Sequence, residues 1–408
     1  MSDEINSEGA LSGIRVVDLS RVLGGPFCTQ ILGDHGADVI KVEPPMGDET
    51  RDWGPPFETD ADGENIASSY FHGANRNKRC IALDLSSAQG REVVFRLLES
   101  ADVLVENFKV GTLEKWGMGY DEVLSQKFPK LIHCRITGFG SDGPLGGYPG
   151  YDAVIQAMCG LSSVNGTAEI SPIRMGVPIV DLATGLNAAI GINMALVERQ
   201  RSGCGQLVEA TLYDSGVSMV YPHAANWLMS GKLPALTGNQ HPNVVPYDMF
   251  STRTKPIFIG VGNNRQFKNM LEVLGRPDLA DDPRFRNNGD RSTNREALTV
   301  ELTSLTRDWQ CDELSDKLLT AGIPAGPVNN LGEVLDHDHT QHRGMVVEKD
   351  GYRGVGPPVK LSRTAAQVRF RPGAFAADNR EVLLEAGYTE VEIEELKSAG
   401  AVVSERRR

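Results

Sequence analysis

The 408-residue sequence predicts an α/β protein with a parallel sheet and a second, smaller domain. Three observations predict it. Short β-branched runs alternate with amphipathic stretches over the first 200 residues. The chain opens on a βαβ pattern with a glycine turn between strand and helix. The texture then changes near Pro246, where one strand is followed by polar amphipathic helices to about Leu319.

The elements follow in order. Residues 14–19 (IRVVDL) read as a buried strand. Gly24-Gly25-Pro26 turns the chain, and Pro26 suits the first turn of a helix running to about Gly36. Residues 38–43 (DVIKVE) form the second strand. The polar stretch 47–71, with Pro55 and Pro56, is expected to be a long loop over a site. Residues 80–85 read as a strand, and Ser86 or Ser87 caps a helix to about Ser100. Residues 102–107 and 131–135 supply two more strands. A helix is expected from Asp181 to about Arg199, then a turn at 201–205 and a strand at 206–212. Residues 257–261 are the smaller domain's strand. Short strands near 345–347 and 359–361 and two short helices close the chain.

Composition narrows the function. Forty-one basic against 54 acidic residues leave a net charge of −13, which disfavours nucleic acid and anionic membranes as partners. The six cysteines are scattered without CxxC or Cys/His spacing, which points to reduced thiols, a cytoplasmic location and no metal site. The acidic N-terminal residues match neither a secretory signal nor a transit peptide. The apolar stretch 179–197 is broken by Asp181, Asn187 and Asn193 and is read as a helix buried in protein.

Few motifs carry chemistry. The first βα turn lacks G-x-G-x-x-G, and Pro26 removes a backbone donor that a pyrophosphate needs, so a dinucleotide is not expected. His337, His339 and His342 are read as a solvated loop. The run Asn75-Arg76-Asn77-Lys78-Arg79 has two readings, a solvated connection or an anion site. Tyr151-Asp152 reads as a cap with a partly buried tyrosine. Asp181 also has two readings. It is a helix N-cap, or it is a nucleophile beside backbone N–H groups that hold an oxyanion.

Six segments in order carry a resemblance: residues 16–26 (VVDLSRVLGGP), 36–43 (GADVIKVE), 75–78 (NRNK), 105–108 (VENF), 150–154 (GYDAV) and 181–185 (DLATG). This set resembles the class III CoA-transferases, the formyl-CoA and carnitine CoA-transferase type, over about residues 11–396. The stretches 181–186, Gly238-Asn239, 245–247 and 262–267 look like the family's dicarboxylate branch, which moves CoA between succinate-, glutarate- and hydroxymethylglutarate-like acids.

The resemblance implies an interlocked homodimer. Each chain would have a Rossmann-like large domain made from both chain ends, residues 1–200 and 346–408. A smaller α+β domain would span 236–320, with linkers at 201–235 and 321–345. Asp181 would be the nucleophile that carries CoA, with Tyr151 facing it. CoA contacts would fall on Val22, Leu23, Leu83, Ser86, Asn107, Phe108 and Lys115. Arg76 and Arg174 would hold a distal carboxylate. Gly238, Asn239 and His241 would stand where formyl-CoA transferases carry a glycine-rich flap. A basic patch of Arg76, Lys78, Arg79 and Lys115 would offset the overall charge toward CoA. No cofactor beyond CoA as co-substrate is implied. Pro44 and Leu23 replace an arginine and a glutamine of the formyl-CoA enzymes, which argues against formate or oxalate. An α-methylacyl-CoA racemase would need a histidine where Tyr151 stands. A non-catalytic CoA-binding homologue is the third alternative.

Overall fold

Parallel strands need crossovers, and the chain supplies a helix for the first of them. In the structure, a computed structural model describing residues 9–60 and 62–407, β1 (Arg15–Asp18) leads through α1 (Gly24–Asp34) to β2 (Asp38–Glu43). Then come β3 (Lys78–Ala82), α2 (Ala88–Leu98), β4 (Val103–Glu106) and β5 (Ile132–Thr137). After α3 (Asp152–Met158) and α4 (Ile179–Ser202), β6 (Leu207–Thr211) runs into α5 (Leu212–Ser218). All six strands pair in parallel, in the order β3-β2-β1-β4-β5-β6. Chain direction across the sheet reverses between β1 and β4, so a crevice opens at their carboxyl ends.

Alternation sorts the two faces of the sheet. Val17, Ile40, Ile81 and Leu104 pack with Val93, Val94 and Leu97 of α2. Val382 and Leu383, from the helix Asn379–Glu385, and Ile393 and Leu396, from Glu390–Ser398, join the same core. On the other face α1 packs against α4. Gly185 makes that contact close, because a Cβ there would lie 2.7 Å from the Gly24 carbonyl oxygen and 3.1 Å from the Phe27 ring. α4 has the length and composition to cross a membrane, and half of its most apolar stretch is buried in the protein.

The chain divides into two units. One takes in the described residues up to Cys159, Gly176–Met219 and the segment from Asp338 onward. The other comprises Gly160–Met175 and Val220–His337. Its centre is an antiparallel sheet of Tyr247–Phe250, Ile257–Gly260 and Ala325–Pro327. Phe250, Ile257, Phe267, Met270, Leu298 and Leu314 fill its core.

Several expectations change. Residues 201–219 are not a linker, because they include β6, which pairs with β5. Residues 325–327 likewise pair into the second unit's sheet. The stretch 47–71 is not a plain loop. It holds a 3-10 turn at Glu49–Asp52, a hairpin of Phe57–Thr59 with Asn65–Ser68, and the start of the helix Ser69–Ala74. No strand forms at 359–361. Tyr352–Val355 pairs with Val346–Lys349 instead, around Asp350-Gly351, where φ is 48° and 79°. Both signs match the two-residue hairpin turn that Asp-Gly favours. His337 is the extended residue between two short helices, Leu331–Asp336 and Asp338–His342, and His339 and His342 lie on the second; no metal-holding group of His, Cys, Asp or Glu is found among the described residues.

Gly185→Ala should lower stability by about 1–3 kcal/mol, because the methyl group meets backbone that cannot move aside. The denaturant midpoint reads this, and an unchanged midpoint would contradict the close α1–α4 contact.

Candidate active site

Backbone at the β1–α1 turn is the floor of the site, and side chains from three strands hold it. Ser20 N–H donates to Asp18 at 2.9 Å. Arg21 N–H donates to Asn107 Oδ1 at 2.9 Å, and Asn107 Nδ2 donates back to Arg21 O at 2.7 Å. Asn107 thus mimics a neighbouring strand just beyond the end of β4. Val22, a β-branched residue, sits at φ 69°, a conformation such residues rarely adopt.

Beyond this turn a cleft of about 240 Å³ opens at the carboxyl ends of β1, β4 and β5. Arg21, Val22, Leu23 and Gly24 line it, with Glu49, Asn107, Phe108, Lys109, Tyr151 and Asp181. This is the topological switch of the sheet, where open α/β folds bind ligands.

Asp181 is the third residue of α4, not its N-cap, which is Pro178. The helix is capped instead by Asp152, whose Oδ2 accepts from the N–H groups of Val180 at 2.8 Å and Asp181 at 3.2 Å. Gln156 donates to the other oxygen of Asp152 at 2.6 Å. Ile179 and Leu182 N–H groups donate to Val177 and Pro178 carbonyls. The α4 amides are therefore occupied, and the expectation that they hold an oxyanion is corrected. At the start of α1, no acceptor for the N–H groups of Leu23, Gly24 or Gly25 is found among the described residues. Gly24 lies beside the nucleophile candidate: a Cβ on it would be 3.9 Å from Asp181 Oδ1.

Burial first, and the charge of Asp152 second, push the Asp181 carboxyl up to about 7. No donor to this carboxylate is found among the described residues. A partly desolvated carboxylate that gives up few hydrogen bonds on attack is a stronger nucleophile than one fully solvated. Tyr70 is pushed up to about 12, by burial and then by the charges of Asp181 and Asp152. It is a neutral hydroxyl near the nucleophile, and it stacks edge-on against Trp53 at 5.3 Å.

The cleft brings together Val22, Leu23, Asn107, Phe108, Tyr151 and Asp181. Tyr151 is exposed rather than partly buried, at 62%. Leu83 and Ser86 follow β3, two strands from the switch. Leu83 is core, bridged to Val402, and the Ser86 hydroxyl bonds Asp84. Lys115 is exposed at the end of the short helix Thr112–Lys115. None of these three lines the cleft. In the second unit, Arg174 is exposed and donates to Met175 O at 2.9 Å. Gly238 N–H donates to Gly166 O, and Asn239 is exposed. His241 accepts from the N–H groups of Asn243 and Val244 on Nδ1.

The run at 75–79 is neither a solvated loop nor an anion site. Arg76 is 4% exposed. It grips Asp34 with two bonds of 2.8 and 2.6 Å and donates to Val355 O at 2.6 Å. Lys78 is buried on Asp18, Pro26 O and Asn75. Arg79 pairs with Asp38 and Glu385. Arg76 is therefore committed and unsuited to a substrate carboxylate. The cations that line the cleft are Arg21 and Lys109, which the sequence reading passed over. Arg21 follows β1 in the first turn and Lys109 follows the 105–108 segment, so their places next to both motifs were the available signal.

A half-buried carboxylate in a cleft at the switch point of a parallel sheet is the placement expected of an enzyme with a carboxylate in its active site. Residues 11–379 match the model of CoA-transferase family III. The chain is 40% identical over 391 residues to the succinate–glutarate CoA-transferase of Agrobacterium fabrum, covering 94% of this chain and 98% of that protein. It is 38% identical over 390 residues to the succinyl-CoA:mesaconate CoA-transferase of Haloarcula hispanica, covering 93% and 97%. The crystal structure of a CAIB/BAIF family protein from Brucella suis superposes with a TM-score of 0.83 at 41% identity, covering 93% of this chain and all of that one. The chain belongs to CoA-transferase family III, and it is a CoA-transferase.

The raised Asp181 group sets a pH dependence. As the candidate nucleophile, Asp181 would react in its ionised form, so kcat/KM should rise with pH and level off above an acid limb near pH 7. A pH–rate profile reads this, and a limb below pH 5 would contradict the buried environment.

Proposed function

We propose that the enzyme moves CoA between short dicarboxylic acids through a covalent aspartyl-CoA thioester on Asp181. The observation that carries this is a half-buried carboxylate with no hydrogen-bond donor among the described residues, set in the switch-point cleft beside the start of α1. Relatives named for succinate–glutarate and succinyl-CoA:mesaconate transfer support the substrate class.

The steps follow from acyl chemistry. An Asp181 oxygen attacks the donor thioester carbonyl, the C–S bond breaks, and CoA leaves as thiolate from a mixed anhydride. The thiolate attacks the aspartyl carbonyl, forming aspartyl-CoA and expelling the donor carboxylate. The acceptor carboxylate then attacks aspartyl-CoA, giving a second anhydride and free thiolate. The thiolate takes the acceptor's acyl carbon and Asp181 is restored. Each attack creates an oxyanion. The N–H groups of Leu23, Gly24 and Gly25 are its proposed donors, each contributing about 2.7–4 kcal/mol in such sites. No step changes oxidation state, so CoA as co-substrate is the only cofactor proposed.

Arg21 and Lys109 are proposed to meet the CoA phosphates, and exposed Arg174 remains the candidate for a distal carboxylate. The enzyme is proposed to be cytoplasmic and homodimeric. Along α4, Leu186, Ile190, Met194 and Val197 form one exposed apolar row, which a second copy of this chain would cover.

With succinyl-CoA as donor and glutarate as acceptor, Asp181→Ala should lower transfer on the order of 10³-fold or more with the circular dichroism spectrum unchanged. Full activity would remove the nucleophile assignment. Dicarboxylates should exceed monocarboxylates of equal length by about tenfold in kcat/KM, the worth of one charge-assisted contact. Equal rates would remove the dicarboxylate assignment.

A further inference from the structure

The cleft rests on a buried charge pair that the reaction itself does not use. Lys41 and Asp48 are both fully buried, with Nζ 2.8 Å from Oδ2. Lys41 Nζ also donates to Ser20 O at 3.0 Å. Asp48 Oδ1 accepts from Val22 N–H at 3.4 Å and from Thr50 N–H and Oγ1 at 3.0 and 2.7 Å. The pair therefore grips the β1–α1 turn on both sides of Arg21, whose own amide groups Asn107 occupies. Val22, whose N–H is the second of these grips, is held at φ 69° although its side chain is β-branched. Such a conformation persists only where the surroundings over-determine it. The residues directly after it, Leu23 and Gly24, line the cleft next to Asp181.

The pair is itself fixed from below. Lys41 stands opposite Asp18 in the β1–β2 register. Asp48 N–H donates to Glu43 at 2.9 Å, and Arg51 holds the same carboxylate at 2.6 and 2.8 Å. Burial raises the Asp48 group, but the Lys41 charge and the bonds from Lys41 and Thr50 outweigh it and hold the group at about 2, so the pair is ionised at neutral pH.

We infer that Lys41 and Asp48 are positioning residues. They clamp the first turn in the strained conformation at Val22 and so set the Leu23–Gly24 wall against which the acyl-CoA thioester meets Asp181. The inference rests on the CoA-transfer reading given above.

A double-mutant cycle tests it. Lys41→Met with Asp48→Leu removes both charges, so no lone charge stays buried. This variant should raise KM for succinyl-CoA about tenfold, within the range that such backbone strain supports. Glycine adopts φ near 69° without strain. In a Val22→Gly background the same pair of substitutions should therefore change KM less than about twofold. Equal effects in both backgrounds would overturn the clamp, as would an unchanged KM in the Val22 background. If the doubly substituted protein does not fold, Asp48→Asn is run through the same cycle. It should give a smaller rise, about threefold, again suppressed by Val22→Gly, and an equal rise in both backgrounds would overturn the clamp. The unmodified enzyme separates the two levels of the account. Absence of CoA transfer in it refutes the functional reading, whereas transfer with an additive cycle refutes only the clamp.

Discussion

The site depends on the close approach of two helices. α1 follows β1 and α4 carries Asp181, and they meet where Gly185 faces the Gly24 carbonyl at a distance that excludes a side chain. That contact brings the first turn of α1, whose amides have no acceptor among the described residues, beside the carboxylate of α4. A single added methyl group would part Asp181, the proposed nucleophile, from the amides proposed to stabilise the oxyanions. The sheet determines where this happens, because the strand order reverses between β1 and β4 and leaves their carboxyl ends open.

Charge is divided between two tasks. The chain carries a net −13, yet its proposed ligand is anionic. The motif-borne cations Lys41, Arg76 and Lys78 are buried in ion pairs, as is Arg51 outside the motifs. Their work is to hold strand ends and turns in place. Breaking any one of these pairs would strand a buried charge, which is why they specify geometry so firmly. The cleft's own cations are Lys109 and Arg21, the latter in an exposed pair with Glu49 at 3.1 Å, and attraction of an anion is proposed to fall to them. The Asp181 carboxylate, by contrast, has no hydrogen-bond donor among the described residues. Its desolvation is what lifts it to about 7, and Asp152 adds to this while capping the helix.

Much of the sheet was legible because a doubly covered parallel sheet writes itself as short continuous apolar runs. β1, β2, β4, β5 and β6 all lie within or close to the runs read from sequence. β3 begins two residues earlier than expected, because Lys78 and Arg79 look like loop residues until their partners Asp18 and Asp38 are in view. The hairpin at 346–355 was legible in principle from Asp350-Gly351. Its first strand matches the run read near 345–347, but its second, short and partly exposed at Tyr352–Val355, is less apolar than the residues at 359–361, where a strand was expected instead. Asp181 was legible through its motif, but its environment was not. Which carboxylate caps α4 is a tertiary fact, since Asp152 lies 29 positions away along the chain. Arg76 shows the same limit: sequence shows a charge, and only packing shows that Asp34 has taken it.

The central claim is that Asp181 itself carries CoA. Mass spectrometry of the enzyme incubated with succinyl-CoA and no acceptor tests it most directly. The account predicts a CoA adduct that maps to the peptide holding Asp181 and disappears when a dicarboxylate acceptor is added. No adduct, or an adduct on another residue, would contradict it.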